Sequence, residues 1–254
     1  MKKAFLIISG LILIASLNTH AQKGKELILG VGGGLTSVWI VNQNNYGEPE
    51  LKYLPKMGYA ASFNLGYNFD ESMAIMTELQ YSMQGQKYDG KQNIQGTTYN
   101  VDRDINLRYF NIPLFFKYGF GTSNTKFRFL VGPQFGILLE ATQEYLRDGK
   151  KQGPLLINLD NEPFSPYKSD ITDRYEKTEI SLVLDVGADI HLSDQFFISA
   201  GARINYGLKD INVEAYRMND LENNEYSPSH NFWGGLYVGV NYKLDVEGYS
   251  QRSF

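Results

Sequence analysis

The chain has 254 residues, no cysteine, 25 glycines, 15 phenylalanines, 18 tyrosines and a formal net charge of -4. The absence of cysteine excludes a disulfide framework, thiolate metal sites, a thiol nucleophile and a lipid-modified N-terminal cysteine, and the acidic balance argues against a nucleic-acid binder. A mean hydropathy of -0.33, with no apolar run of about 18 residues or more, excludes a helical multispan membrane protein, while 14% aromatic residues argue against disorder.

Lys2 and Lys3 precede an apolar stretch over 4–17, and Thr19-His20-Ala21 places small residues at both ends of a cleavage triplet. This reads as a secretory signal peptide over 1–21, cut after Ala21. The stretch is too short for a membrane-anchor helix.

From there the pattern has period two, which alternates faces on a strand and mixes them on a helix. Strands are expected over about 27–40, 58–70, 73–86, 105–120, 126–141, 180–192, 196–208 and 232–244. The first sets Leu27, Leu29, Val31 and Leu35 against Ile28, Gly30, Gly32, Gly34 and Thr36. The second sets Tyr59, Ala61, Phe63, Leu65, Tyr67 and Phe69 against small and polar residues, and the third continues with Ile75, Leu79 and Tyr81 against Met76, Glu78 and Gln80. In the fourth and fifth, Pro113 and Pro133 remove ladder donors and belong at bulges or loosely paired positions. The sixth is the cleanest, with Ile180, Leu182, Leu184, Val186, Ala188, Ile190 and Leu192 on one face. Only Ser193-Asp194-Gln195 separates it from the seventh.

Connections alternate between long (41–57, 87–104, 142–177, 209–230) and short (71–72, 121–125, 193–195). This predicts an all-β fold: an eight-stranded antiparallel up-and-down transmembrane β-barrel over 22–244, with short periplasmic turns, long extracellular loops and a periplasmic C-terminal tail over 245–254. A soluble barrel such as a lipocalin would turn its apolar face inward instead. Three features favour the membrane form. Glycine crowds the polar face (Gly30, Gly32, Gly34, Gly66, Gly132, Gly136, Gly187, Gly201, Gly235, Gly239), where it makes room inside a narrow barrel. Aromatics of the apolar face sit near span ends, as interfacial girdles do: Tyr59, Phe69, Phe120, Phe127, Phe196, Tyr206, Phe232 and Tyr242. Charges on the polar face carry both signs, with Glu78, Asp185 and Asp189 opposing Lys117, Arg128, Arg203 and Lys243. These seven are expected to form a paired, hydrated plug filling the lumen, with a narrow ion or solute path as the alternative.

The chain resembles the PorT-like outer membrane protein beta-barrel domain family. The resemblance rests on the Ala21-Gln22 junction, Tyr109-Phe110-Asn111-Ile112-Pro113-Leu114, the Gly132-Pro133 step and the closing Gly239-Val240-Asn241-Tyr242-Lys243-Leu244. It implies an eight-stranded barrel in the Gram-negative outer membrane and no single activity; the founding member is associated with type IX protein secretion. The last strand also looks like a signal for the barrel-assembly machinery, carried by Gly239, Tyr242 and Leu244. Asp245-Val246-Glu247-Gly248 breaks the pattern, so the signal is expected to end at Leu244 rather than at Phe254.

Little else suggests chemistry. Gly30-Val31-Gly32-Gly33-Gly34 lacks the spacing and the following helix of a dinucleotide loop. His191 and His230 are too few and too far apart in sequence for a metal set. Ser229-His230 with Asp220 or Glu222 could imitate a loop-borne catalytic group. No enzyme activity, cofactor or nucleic-acid partner is expected. Loop 142–177 holds apolar Leu155-Leu156-Ile157 and Phe164-Ser165-Pro166-Tyr167, a candidate protein-docking surface. The expected function is structural or partner-docking; a narrow pore and a loop-based enzyme are the alternatives.

Overall fold

A computed structural model describes residues 25–41, 51–94, 96–122, 124–151, 168–217, 219 and 225–246. The expected signal peptide, the apolar patches of loop 142–177, Asp220, Glu222 and positions 247–254 lie outside them. The strands are β1 (Glu26–Val41), β2 (Leu51–Leu54), β3 (Lys56–Asn68), β4 (Met73–Ile94), β5 (Thr97–Gly121), β6 (Thr125–Arg147), β7 (Lys150–Lys151), β8 (Lys168–Asp170), β9 (Thr178–His191), β10 (Phe196–Gly207) and β11 (His230–Asp245). Among the described residues the helical segments are two 3-10 turns, Thr172–Arg174 and Glu214–Tyr216.

Eight long strands close a ring in the order β1, β3, β4, β5, β6, β9, β10, β11, every neighbour antiparallel. The seam between β11 and β1 pairs without a break from Glu26↔Asp245 to Val41↔His230, so no edge is left in the ring. The short turns gather at the end that holds Glu26 and Asp245. In one, Asp70 Oδ1 accepts from the backbone N–H of Ser72 (2.7 Å) and Met73 (2.8 Å); in another, Ser193 Oγ accepts from Phe196 N–H (3.0 Å).

The apolar face points out. Leu35 and Leu236, register partners across the seam, are 66% and 70% exposed, whereas Arg203 and Asp185 of the polar face are 2% and 0% exposed. Aromatics flank the band at both ends. Phe196 packs on Tyr242 (4.7 Å between centroids) and Phe120 on Phe127 (5.8 Å) at the short-turn end; Tyr59 meets Tyr81 (6.2 Å) at the other.

Both prolines sit where ladders are interrupted. Between β4 and β5 the pairing stops after Thr77↔Leu114 and resumes at Gln80↔Asn111, skipping Pro113. Thr77 Oγ1 donates instead to the Pro113 carbonyl (2.8 Å). Between β5 and β6 it skips Pro133, from Phe116↔Val131 to Pro113↔Gln134.

One expectation needs correcting. Residues 87–104 are not a long loop: β4 runs on to Ile94 and β5 starts at Thr97, so both strands project beyond the membrane and turn tightly. β6 continues with them to Arg147, and β2, β7 and β8 pair along this extension. The physical reason is a reversal of the environment. Outside the membrane the outer face meets water, so Lys87, Asp89 and Lys91 point out while Tyr88, Val101 and Ile105 point in. The β5–β6 register shifts between Arg108 and Tyr109, with Leu139 of β6 as the extra, bulged residue, and inward positions on β6 shift from Gly136 and Leu138 to Ala141, Gln143 and Tyr145.

Candidate functional site

Among the described residues, ionisable side chains converge out of water in the lumen. All seven lumen charges named from the sequence point into it. Glu78 on β4 takes Arg203 of β10 in a two-pronged pair, Oε2–Nη1 2.7 Å and Oε1–Nη2 2.9 Å. The same guanidinium donates through Nε to Asp185 Oδ2 (2.9 Å) and lies over the rings of Tyr237 (3.9 Å) and Phe115 (5.1 Å). Asp185 Oδ1 is 3.1 Å from Arg128 Nη2, and Arg128 Nε is 3.3 Å from Asp189. Those two contacts are ionic but off hydrogen-bond angles, so Arg128 is held less firmly than Arg203. Asp189 closes the chain by accepting from Lys117 Nζ and from Ser199 Oγ (2.6 Å).

Lys243 stands at the periplasmic rim and pairs with Glu26 (3.3 Å), which also accepts from Asn68 Nδ2 (2.8 Å). Glu26 was not among the sequence candidates. It belongs to the polar parity of β1, but it precedes the first clear apolar alternation. With it, four acids (Glu26, Glu78, Asp185, Asp189) face four bases (Lys117, Arg128, Arg203, Lys243), and the network is neutral. Neutrality matters because an uncompensated charge in this environment costs several kcal/mol.

Apolar side chains stand among the charges and above them. Ile28, Ala74, Met76, Phe115, Leu130, Val183 and Phe197 interleave with the charges in the periplasmic half, where Leu130 pairs in register with both Lys117 and Asp185. A second cluster closes the extracellular mouth, where Tyr88, Val101, Ile105, Leu107 and Tyr145 of the extension meet Ile171, Tyr175 and Ile211 from the connecting segments. Those segments are tied down. Tyr175 bridges Asn212, Glu176 N–H donates to the Ile211 carbonyl (2.7 Å), and Tyr226 donates to Asp210 (2.7 Å), which also pairs with Arg217 (3.0 Å). Burial pushes the Tyr226 phenol up to about 12, and the Asp210 carboxylate that its proton serves adds to the effect.

Of the loop-borne catalytic set, Ser229 and His230 are described, and they do not face one another. Ser229 is 1% exposed, and its hydroxyl accepts from Asn212 Nδ2 (2.9 Å). His230 stacks on the lipid-facing Tyr206 (5.6 Å), so neighbouring positions place the two side chains on opposite faces of the chain. His191 stacks on Phe197 (5.3 Å) at the far end of the barrel. Among the described residues no group of three or more His, Cys, Asp or Glu could hold a metal ion. Of the three residues expected to signal assembly, Gly239 faces the lumen, while Tyr242 and Leu244 lie on the lipid face opposite Leu29 and Leu27.

The profile of the family described as "Outer membrane protein beta-barrel domain" matches residues 20–213, and the chain belongs to that family. Its place is therefore the cell outer membrane. Three solved structures are similar to it at low identity. Neisserial surface protein A (NspA) is 14% identical with a TM-score of 0.44, over 87% of this chain and 100% of that one. OprG of Pseudomonas aeruginosa is 10% identical with a TM-score of 0.38, over 88% and 97%. Ail, the attachment invasion locus protein of Yersinia pestis, is 10% identical with a TM-score of 0.36, over 88% and 100%. None of these bears on what this barrel does. No curated protein matches the chain.

Proposed function

We propose that this outer-membrane barrel is a closed, non-enzymatic element of the envelope that works through its extracellular face rather than through its lumen. The observation that carries the reading is the unbroken chain of ion pairs Glu78–Arg203–Asp185–Arg128–Asp189–Lys117, interleaved with buried apolar side chains. A water path would have to part pairs whose members are desolvated, and each separated charge would cost several kcal/mol. The mouth cluster over it adds a second seal.

In this reading the chain is of the PorT-like kind, on the strength of Tyr109-Phe110-Asn111-Ile112-Pro113-Leu114, Gly132-Pro133 and the closing strand. The barrel-assembly machinery reads Gly239, Tyr242 and Leu244, after export on the segment 1–21. A protein partner docks on loop 142–177, and a role in protein secretion or envelope upkeep follows from that docking. Planar-bilayer recording of the purified full chain tests the closed lumen: no steady conductance is expected, and a stable ohmic open state overturns it. Replacing loop 142–177 by a short turn tests the docking. Cross-linked partners from intact cells are expected to disappear, and a partner retained by the shortened protein overturns this assignment.

A further inference from the structure

One lumen acid stands apart from the neutral network. Glu179, near the start of β9, is 3% exposed. Among the described residues its side-chain hydrogen-bond partner is Asn231 Nδ2, at 3.1 Å from Oε2; Oε1 receives no donor. Around it are further buried oxygens without donors. Asn231 uses its amide N–H groups on Glu179 and on Tyr109 Oη (3.1 Å), which fixes the amide orientation and leaves Oδ1 unpartnered. Asn111 uses its own on Gln80 Oε1 (3.2 Å) and Ser82 Oγ (2.9 Å), again leaving Oδ1 unpartnered. Both asparagines are fully buried.

The sheet brings these groups together. Gly136 of β6 pairs with Asn111 on one side and with Glu179 on the other. A Cβ at Gly136 would come within 2.9 Å of Asn111 Oδ1, and one at Gly207 within 2.6 Å of Glu179 Oε1 and 3.2 Å of the Asn231 backbone N. Gly136 thus leaves space at Asn111 Oδ1, and Gly207 leaves space at Glu179 Oε1. Buried acceptor oxygens without donors ask for an electron-pair acceptor, and the Glu179 carboxylate asks for one positive charge. Water supplies hydrogens but no charge. A divalent ion would leave one unit of positive charge in excess, as costly to bury as the anion alone.

We propose that the extracellular half of the lumen binds a hard monovalent cation of sodium size, ligated by Glu179 with the amide oxygens of Asn111 and Asn231. All-oxygen ligation by a carboxylate and neutral carbonyls suits a hard ion. The ion makes this level of the lumen neutral, as the ion pairs do below it. The site is independent of whether the barrel conducts.

The test is urea unfolding of the full chain in phosphatidylcholine vesicles, with sodium chloride exchanged for choline chloride at constant ionic strength. Sodium binds only the folded barrel, so the wild-type midpoint is expected to rise steadily with sodium, and the Glu179→Gln midpoint is expected not to move. Infrared spectra separate the competing accounts. An absent sodium effect together with a protonated-carboxyl band that vanishes in Glu179→Gln overturns the proposal, because the acid then carries a proton. An absent sodium effect without that band overturns it as well, because solvation alone then suffices. Should Glu179→Gln fail to fold, thallium(I) in wild-type crystals decides: an anomalous peak within ligand distance of Glu179 supports the site, and none there refutes it.

Discussion

Glu78 and Arg203, 125 residues apart, meet across the lumen in a two-pronged ion pair with both side chains 2% exposed. The guanidinium is fixed from four sides: Glu78 and Asp185 in the plane of its N–H groups, Tyr237 and Phe115 on ring faces. A planar, permanently charged fork fits this setting, whereas a lysine would satisfy neither the two-pronged contact nor the stacking.

Arg203→Met is therefore expected to lower barrel stability by about 3–5 kcal/mol, because it strands the carboxylates of Glu78 and Asp185 away from water. Urea midpoints in vesicles measure it. Combining it with Glu78→Gln should cost clearly less than the sum of the two single changes; additive losses would show that the pair is not coupled.

Gly32 is held to its identity by Tyr237. A Cβ at this position would lie 2.2 Å from the Tyr237 hydroxyl oxygen, the same ring that stacks on Arg203. Gly32→Ala should cost about 1–3 kcal/mol by overpacking. In the Tyr237→Ala background the further loss should shrink. An undiminished loss there would assign the cost to the backbone instead.

Depth in the bilayer is readable from arginine substitutions on the outer face. Val238→Arg, in mid-strand on β11, is expected to cost about 2–4 kcal/mol, and Leu192→Arg, beside the short turn after β9, about 0–1 kcal/mol. Both positions are exposed in the barrel. Equal costs at the two would contradict the placement of the membrane band.

The clasp over the mouth has a pH signature. The Tyr226 phenol has its pKa raised to about 12 by burial, while it donates to Asp210. A raised value in the folded state means that the contribution is intact below the unfolded value near 10 and is lost as pH rises through about 12. The tyrosinate absorbance of wild type minus Tyr226→Phe should show a midpoint near 12. A midpoint near 10 would mean that Tyr226 is free of Asp210 in solution.

The outcome of reading faces from the sequence differs along the same strands. From Phe110 to Tyr118 on β5, the lipid-facing residues Phe110, Ile112, Leu114, Phe116 and Tyr118 are apolar, while Asn111 and Lys117 face the lumen, and parity alone assigned them. From Thr97 to Arg108 the same alternation continues with its meaning reversed, because the outer face there meets water. Scored against a lipid-facing template it looks like a polar loop. Glu26 escaped notice for a related reason: it lies at the strand's first position, before a repeating pattern can be established. Glu179 lies one position before Ile180, where the expected strand begins, and so falls outside the alternation that marks the lumen face.

The sequence by itself determined the class of fold, the eight spans, the face that meets lipid and the residue types sent inward. Those properties are local, set by a two-residue repeat and by the composition of each face. Only the tertiary structure decided which inward residues stand at the same level: Glu78 with Arg203, Glu26 with Lys243, and Asn111 with Gly136 and Glu179. Those levels follow from the stagger between strands around a closed ring, including one bulge on β6. Such a stagger is a property of the whole circuit and leaves no mark on any single strand.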